Sequence, residues 1–490
     1  MGGPAWSATL PQGLLMLTTS PAFKQNAARA LNDPGLQKAL ANVKPRFIEK
    51  RAKGVATLPE FERFREIGRD LKNHTIAHLD FYLDAYARAV EAQGGHVHWA
   101  ETAEDARRIV LEICRSVGAK TVTKGKSMIS EEIALNEHLE AAGIQPVETD
   151  LGEYILQLRN EPPSHIIGPA FHLNREDWIE AFKKSHTKLP ADRVFSERRD
   201  LMAEAREVLR DRFLAADVGI TGANMLIAET GSSVIVTNEG NGDLTQTLPK
   251  VHIALASIEK VVPTLEDACV ILRMLARSAV GQDFSTYVTF STGPRRPEDR
   301  DGPEQYHVVL LDNGRSNMVG TEFQDMLRCI RCAACMNHCP VYGSVGGHSY
   351  GWVYPGPMGS VLTPSLIGVD KAGHLPNAST FCGRCESVCP MKIPLPKMMR
   401  HWREREFERH LTPRAARMGL GVWAWFAKRP GVYRLSTRLA MRALGLLGRR
   451  RGRFSWLPLA KGWTGGRDMP APEGETFHAR YARLKRQGLL

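Results

Sequence analysis

Long apolar runs are missing from this sequence. It contains no stretch of 18 or more apolar residues, which excludes a membrane-spanning helix of ordinary length. A basic segment is also missing ahead of the short apolar stretch at residues 14–17, so the beginning of the chain does not resemble an export signal. We therefore expect a cytoplasmic protein that is not exported.

The positive charge is not spread evenly along the chain. The formal net charge is +12, but residues 401–490 hold 20 Lys and Arg against 6 Asp and Glu. The first 400 residues hold 45 basic and 47 acidic residues, so their composition offers no basic groove. We therefore expect no nucleic-acid partner, and only the tail needs an explanation for its positive charge.

The length implies more than one folded unit. The chain has 490 residues, whereas a single core stops growing at about 250 to 300 residues. We predict an N-terminal helical arm at residues 1–65, an α/β domain at 66–312, a Cys-, Gly- and Pro-rich segment at 313–400 and a basic helical tail at 401–490. In the third segment we expect bound metal, more than a large apolar core, to order the backbone.

The second segment alternates helical and strand patterns. Helical periods at residues 76–90 and 103–116 are followed by short apolar runs typical of strands. The predicted strands are residues 233–237, 251–256 and 308–311. Ser130, followed by two glutamates, predicts the cap of a helix and places residues 124–127 in the loop before it.

Seven of the nine cysteines are closely spaced. The run Cys329-Ile-Arg-Cys332-Ala-Ala-Cys335-Met-Asn-His-Cys339-Pro340 has the spacing C-x2-C-x2-C-x3-C-P of bacterial two-cluster ferredoxins. In that pattern the first three cysteines bind one iron–sulfur cluster and the fourth binds the other. One motif therefore predicts two clusters.

The partner motif is Cys382-Gly-Arg-Cys385-Glu-Ser-Val-Cys389-Pro390, with Ser379 where the first cysteine of the pattern would stand. The crossover rule assigns one four-iron cluster to Cys329, Cys332, Cys335 and Cys389, and the second cluster to Cys339, Cys382 and Cys385. The second cluster has either three irons, or a fourth iron bound by Ser379, water, a nearby side chain or a partner protein. Zinc fits less well, because it favours two separated C-x2-C pairs around one ion.

Four further residues near or outside these motifs are assigned ordinary roles. Cys114 and Cys269 stand alone in apolar helical periods, where a free cysteine is usually a small buried side chain. His338 and His348 lie close to the first motif and are expected to form hydrogen bonds without binding a cluster.

Small and polar residues at positions 219–233 resemble a loop that binds an anion. The candidate anion-binding residues are Thr221, Gly222, Ala223, Glu229, Thr230, Gly231 and Ser232. A sheet crossing that needs glycine for close backbone approach explains the same pattern. Neither a P-loop nor a dinucleotide-binding fingerprint is complete, because Lys120 and Thr245 stand where each requires glycine.

The tail contains a basic amphipathic pattern. Arg434, Arg438 and Arg442 recur every four residues beside Leu435 and Leu439. We expect this helix to dock on a partner protein, while peripheral contact with the inner face of the membrane and a solvated face remain open.

Taken together, these motifs resemble the B-subunit family of the bacterial lactate-utilisation system over nearly the whole chain. The matching segments are Thr123-Lys-Gly-Lys-Ser-Met-Ile-Ser-Glu-Glu132, Glu148-Thr-Asp-Leu-Gly-Glu-Tyr154, Gly222-Ala223 through Gly231-Ser232, Gly347-His-Ser-Tyr-Gly351, Val361-Leu-Thr-Pro364, Gly462-Trp-Thr and Arg467-Asp468. The resemblance implies a lactate-utilisation α/β domain related to the sugar-phosphate isomerase and CoA-transferase folds, then an α-helical ferredoxin-type module with two [4Fe-4S] clusters and a helical basic tail.

The resemblance also implies a function and partners. It implies a non-catalytic electron-transfer component of a system that oxidises L-lactate to pyruvate, and its seven ligand cysteines are those given by the spacing. Its partners would be a Cys-rich electron-transfer subunit and a second subunit with a lactate-utilisation domain. One alternative is an α/β domain that acts on an anionic substrate with Glu229 as base, and another is an iron–sulfur protein that binds RNA through its tail.

Overall fold

The computed structural model describes residues 18–125, 127–190, 192–372, 374–458, 460–464 and 466–489. The apolar stretch at residues 14–17, the start of the predicted N-terminal arm and Lys126 of the predicted 124–127 loop lie outside the described residues. The chain divides into two compact units, of which the first ends at Arg405 and the second begins at Glu406.

Two sheets form the α/β part of the first unit. Its strands are β1 His96–Ala100, β2 Thr121–Gly125, β3 Gln145–Glu148, β4 Val218–Gly222, β5 Met225–Ile227, β6 Ser232–Thr237, β7 Val251–Ser257, β8 Val261–Val262, β9 Tyr287–Ser291 and β10 Gln305–Leu311. A six-stranded sheet has the order β1-β10-β7-β4-β2-β3, and all its pairs are parallel. A four-stranded sheet, β8-β5-β6-β9, contains the antiparallel hairpin of β5 and β6.

Helices cover and precede these sheets. They are α1 Phe23–Leu31, α2 Pro34–Leu40, α3 Glu49–Ala56, α4 Phe61–Ala77, α5 Leu79–Ala92, α6 Ala103–Ser116, α7 Met128–Glu132, α8 Leu135–Ala141, α9 Leu151–Arg159, α10 Arg175–Ser185, α11 Arg198–Leu214, α12 Asn241–Thr247 and α13 Leu265–Val280. Capping boxes begin α6 at Thr102 and α13 at Thr264, where each threonine accepts from a backbone N–H and an aspartate three residues later bonds back. These polar caps satisfy backbone N–H groups at the first turn and define where both helices begin.

Most of the predicted elements are confirmed. The three predicted strands correspond to β6, β7 and β10, and α6 has the predicted bounds. The predicted helix at 76–90 is two helices, because the chain breaks at His78. The predicted helix start at Ser130 is wrong: the cap of α7 is Ser127, whose side chain accepts from Ser130 N, and the backbone of Lys124 and Gly125 belongs to β2.

The cysteine-rich segment is built from short helices. They are α14 Ala334–Asn337, α15 Tyr342–Val345, α16 Gly356–Ile367, α17 Val369–Ala372 and α18 Arg384–Ser387, followed by α19 Leu395–Glu408. The segment also has a substantial apolar core, in which Met358, Val361 and Trp402 join one buried cluster with Ile271 and Met274 of α13. Apolar packing therefore contributes to the order of this segment, and the larger contribution expected from bound metal stays a prediction.

The N-terminal residues of the first unit pack on the cysteine-rich segment. Ser20 donates its hydroxyl to the carbonyl of Tyr350 at 2.7 Å, and Thr19 N donates to the carbonyl of Gly351 at 2.9 Å. Gly347 has no Cβ, and a Cβ there would collide with the carbonyl oxygen of Ser164. The glycine thus lets the cysteine-rich segment approach the backbone of the α/β part.

The second unit is helical with a short two-stranded sheet. Its helices after α19 are α20 Arg414–Ala427, α21 Pro430–Gly448, α22 Lys461–Thr464 and α23 Phe477–Arg486, and its strands are β11 Arg453–Phe454 and β12 Met469–Pro470. The predicted amphipathic helix is α21, on which Leu435 and Leu439 are exposed. Across the described part of the chain, the helices are too short or too polar to traverse a bilayer.

Candidate metal centre

The structure brings together four of the predicted ligands around one cavity in the first unit. Its lining includes Cys329, Cys332, Cys335 and Cys389, which come from the first motif and from the last cysteine of the second. The other lining residues are largely apolar: Ile166, Ile330, Arg331, Ala333, Met358, Pro390, Met391, Ile393 and Leu395. Two of the four cysteines, Cys332 and Cys389, are buried, and Cys329 and Cys335 are partly exposed.

The backbone of the first motif turns its sulfur atoms inward. Arg331 and Ala333 have left-handed conformations, with φ of 59° and 60°, which are uncommon for residues with a Cβ. Arg331 N lies 3.5 Å from Cys329 Sγ, and Ile393 N lies 3.5 Å from Cys389 Sγ, so both sulfur atoms accept backbone N–H groups. Such donors stabilise a thiolate, which is the form that binds metal.

A second cavity contains the three remaining predicted ligands. Cys339, Cys382 and Cys385 line it together with Ser379. Its other lining residues are Pro340, Pro357, Ala378, Thr380, Phe381, Gly383, Arg384, Pro396 and Met399. Cys382 is exposed whereas Cys385 is buried, so this cavity lies closer to the surface than the first.

The thiol groups at both cavities have raised pKa values. Burial raises the pKa of Cys332 and of Cys385 to about 12. Burial also raises the pKa of Cys335 well above its usual value, with smaller contributions from Cys329, Cys332, Cys389 and Cys385. Thiols in this environment stay protonated until a metal displaces their protons. The two cavities are neighbours, because α14, which carries Cys335, contacts α18, which carries Cys385.

The donor set fits a cluster better than single metal ions. Among the residues that the structure describes, no group of three or more His, Cys, Asp or Glu side chains is arranged to hold one metal ion. Zinc would require its sulfur ligands about 2.3 Å from a single point. Thiols that surround a cavity without converging on a point fit a multi-iron cluster, so the residues present fit the predicted group.

Positive charge surrounds the first cavity. Arg65 donates to the carbonyl of Cys389 through Nη2 at 2.8 Å, and Arg51 donates to the carbonyl of Val388 at 2.9 Å. Burial, followed by the charge of Arg331, lowers the pKa of Lys260 to about 8. These cations offset the negative charge that four thiolates would bring.

A buried ion-pair network joins the first motif to the carboxyl ends of the parallel strands. Arg331 Nη2 lies 3.4 Å from Glu259 Oε1, and Glu259 Oε2 lies 3.1 Å from Arg315 Nε. Arg315 forms a bidentate pair with Glu132 at 2.6 and 2.9 Å, and Tyr354 donates to the same carboxylate at 2.7 Å. Burial opposes the negative charge of Glu259, but Arg315 and Arg331 lower its pKa to about 2.

A second buried group lies at the ends of β2 and β3. Lys124 Nζ lies 2.6 Å from Glu131 Oε1 and 2.7 Å from Glu148 Oε1. Burial opposes the charge of Lys124, yet the two carboxylates raise its pKa above its usual value. Burial, and then Glu148 and Asp150, raise the pKa of Glu153 well above its usual value. Ligands of α/β proteins commonly bind at this edge of a parallel sheet.

Neither buried network is predicted by the sequence motifs. Glu132, Lys124 and Glu148 lie in segments that carry the family resemblance. Lys124 pairs with Glu131 only seven residues away, but Arg315 is 183 residues from Glu132. Burial of β2 implies a partner, because a lysine on a buried strand requires a counter-charge.

The predicted anion-binding residues lie in two places. Thr221 is in the six-stranded sheet, where its hydroxyl is 2.8 Å from His252 Nε2. Gly222 ends β4 and Ala223 follows it, whereas Ser232 begins β6 of the other sheet and its hydroxyl is 2.7 Å from that of Thr230. Exposed Glu229 accepts from Leu265 N at 3.2 Å, and a Cβ on Gly231 would press on the backbone of α5. The described hydrogen bonds therefore connect these residues to the fold and not to a common site.

The remaining predictions have mixed outcomes. His338 Nδ1 and His348 Nε2 each lie 2.8 Å from a backbone carbonyl oxygen, as expected for hydrogen-bonding side chains. Cys114 is fully buried, as predicted, but Cys269 is exposed on α13, so its predicted burial is wrong.

Comparison with known proteins matches three family models to this chain. The LUD domain matches residues 83–311, the 4Fe-4S dicluster domain residues 325–393, and the C-terminal domain of lactate utilisation protein B residues 384–486. A solved structure, that of a DUF162 family protein from Deinococcus radiodurans, aligns with 48% of this chain and 98% of its own at a TM-score of 0.26 and 14% identity.

Curated relatives match almost from end to end. Lactate utilization protein B of Macrococcus caseolyticus is 45% identical, with 93% of this chain and 95% of the relative covered. The proteins of the same name from Bacillus pumilus and Shouchella clausii are 42% and 44% identical, with 95% of this chain and 98% of each relative covered. The chain carries a LUD domain and a 4Fe-4S dicluster domain, and it belongs to the lactate utilization protein B family.

Proposed function

We propose that this chain is the iron–sulfur electron-transfer component of a system that oxidises L-lactate to pyruvate. The observation that carries the proposal is the pair of neighbouring cavities lined by four and by three cysteines. When bound there, [4Fe-4S] clusters supply one-electron redox centres. The names of the relatives support the link to lactate.

The two ligand sets support a route for electrons through the molecule. Cys329, Cys332, Cys335 and Cys389 would hold the inner cluster, and Cys339, Cys382 and Cys385 the outer one. Because Cys382 is exposed, the outer site is the one that a redox partner can approach. The inner site faces the Arg331–Glu259–Arg315 network, which leads towards the strands of the LUD domain.

The proposed partners are the other lactate-utilisation subunits, namely a Cys-rich electron-transfer subunit and a second subunit with a LUD domain. The basic tail would supply part of the docking surface, because α20 has no buried residues and α21 buries only Gly448. We also propose that the α/β domain is related to the sugar-phosphate isomerase and CoA-transferase folds, for which its parallel sheet is suitable.

The first test is anaerobic iron and sulfide analysis combined with electron paramagnetic resonance (EPR). About eight irons per chain, with two interacting signals after dithionite reduction, would support two four-iron clusters. With the partner subunits present, L-lactate should reduce the same signals. Zinc without sulfide, or clusters that lactate leaves oxidised in the assembled system, would contradict the proposal.

A second candidate function is substrate binding by the α/β domain. The observation that favours it is the buried Lys124 group at the carboxyl ends of β2 and β3, where shifted pKa values often accompany a binding site. If the domain binds lactate there, L-lactate should raise the unfolding temperature of the wild-type protein and not that of a K124M variant. Equal shifts in both proteins, or none in the wild type, would count against this site.

A further inference from the structure

The two cysteine-containing loops repeat one backbone design. In the first loop, Arg331 and Ala333 precede and follow a ligand cysteine with φ of 59° and 60°. In the second loop, Phe381 and Gly383 hold the same positions around Cys382 with φ of 51° and 75°. A four-residue helix follows each loop, α14 in the first and α18 in the second. Because left-handed residues with a Cβ are uncommon, matching ones indicate the same loop geometry.

The repeat places Ser379 where the first loop has Cys329. Arg331 N donates to Cys329 Sγ at 3.5 Å, and Phe381 N donates to Ser379 Oγ at 3.1 Å. In both loops the donor is the backbone N–H two residues after the acceptor. The serine oxygen therefore occupies the position of a ligand sulfur in the repeat.

Ser379 also lines the same cavity as Cys339, Cys382 and Cys385. Few other heteroatoms are offered by the described lining residues. The Thr380 hydroxyl hydrogen-bonds the Cys382 thiol, Met399 offers a weakly basic thioether, and Arg384 is a cation. A serine alkoxide, by contrast, carries the negative charge that a ferric ion favours.

We infer that Ser379 Oγ is the fourth protein ligand of the outer cluster and binds one iron as an alkoxide. On binding, the hydroxyl proton leaves to solvent and an Fe–O bond forms, with no change in the oxidation state of the iron. The inference rests on the proposed function, because it presupposes a cluster on Cys339, Cys382 and Cys385.

The test compares four full-length proteins prepared anaerobically: wild type, S379A, S379C and T380A. We expect S379A to lose one iron per chain and to gain the oxidised-state EPR signal of a three-iron cluster. S379C should keep all its irons, and the midpoint potential of its outer cluster should rise, because a thiolate stabilises ferric iron less than an alkoxide does. T380A removes the neighbouring hydroxyl and should keep the wild-type iron content.

The outcomes separate the inference from the proposed function. A four-iron outer cluster in S379A would overturn Ser379 ligation while leaving the electron-transfer proposal intact. A wild-type chain without a second cluster would overturn both. If S379A fails to fold, S379C decides: a shifted potential confined to the outer cluster supports the inference, and an unchanged potential and spectrum overturn it.

Discussion

Arg331 is the charged residue inside the first C-x2-C-x2-C run, and both its side chain and its backbone N–H make contacts at the inner site. Its guanidinium lies 4.5 Å from the centre of the Tyr354 ring and 3.4 Å from Glu259 Oε1. Its backbone N–H points at Cys329 Sγ. A fixed positive charge at this position favours the reduced, more negative state of a cluster held by Cys329.

We predict that R331Q lowers the midpoint potential of the inner cluster. Loss of one positive charge should shift the potential by tens of millivolts, on the order expected for a Coulomb interaction at an effective dielectric constant of ~20. EPR-monitored redox titration measures the shift. R331K is the matched control because it keeps the charge without the planar group. A potential in R331Q equal to that of the wild type would show that Arg331 is only a packing residue.

His252 makes the stability of the α/β part depend on pH. The ring is buried beside Thr221, and burial lowers its pKa to about 3. The unfolded histidine takes up a proton near pH 6.5, whereas the folded one does not until about pH 3, so the unfolded state binds more protons between these values. The stability contributed by neutral His252 is therefore lost as the pH falls below 6.5.

We predict that the free energy of unfolding of the wild type falls by about 1 kcal/mol more than that of H252Q between pH 6.5 and 5.5. Glutamine keeps a donor for Thr221 but does not titrate. Urea unfolding at several pH values, under anaerobic conditions, compares the slopes, with H478Q at an exposed position as the control. Parallel curves for the wild type and H252Q would contradict the assignment.

At the scale of elements, the sequence predicts features that depend on neighbouring residues in the chain. The cysteine groups follow from spacing, because three ligands within seven residues bind one cluster and Pro-directed cysteines cross to the other. The buried strands β7 and β10 follow from their apolar runs. The helix start at Ser130 failed because Ser127, three residues earlier, offers an equivalent cap, and only the end of β2 selects between them.

Sequence patterns do not predict the contacts between residues that are far apart in the chain. Strands β5 and β8 have three and two residues, too few to show an alternating pattern. Cys269 was expected in the core because α13 is strongly apolar, but it lies on the solvent side with Leu265 and Glu266. The Glu132–Arg315 pair joins α7 to the segment after β10, and no local pattern links two charges so far apart in the chain.

The Glu132–Arg315 pair should stabilise the contact between α7 and the segment after β10. Both side chains have no exposed surface, so E132L or R315M alone should cost about 3 to 5 kcal/mol by leaving a buried charge without its partner. The double variant E132L/R315M should recover part of that loss, but not all of it, because Arg315 also pairs with Glu259. Urea unfolding of the four proteins forms a double-mutant cycle. Additive losses would show that the two residues do not interact.

At the scale of the whole molecule, the shared apolar core predicts the behaviour of the metal-free chain. Met358, Val361 and Trp402 are buried with Ile271 and Met274, so apolar packing against α13 holds the cysteine-rich segment without metal. We expect that removal of iron by a chelator leaves most of the helical circular dichroism signal and weakens cooperativity of unfolding. Collapse of the helical signal to that of an unfolded chain would show that metal is the main source of order.

We expect the second unit to supply the docking surface for the proposed partners. Arg434, Arg438 and Arg442 lie on α21 with exposed Leu435 and Leu439, and exposed Trp423 and Trp425 lie on α20. Exposed apolar and basic side chains together favour a surface that is both apolar and acidic. Because the rest of the chain is almost neutral in charge, this unit supplies most of the positive field that would steer such a partner.

We predict that the variant R434Q/R438Q/R442Q binds the other lactate-utilisation subunits about tenfold more weakly at low salt, a loss of roughly 1.4 kcal/mol shared by three exposed charges. The difference from the wild type should shrink as salt is raised, since the Debye length falls to about 3 Å at 1 M. Isothermal titration calorimetry measures the affinity, and R480Q/R483Q, on α23, is the control for a general loss of charge. Sedimentation with anionic vesicles separates the alternative: if the triple variant loses vesicle binding but keeps its partner affinity, the tail contacts membrane instead of protein.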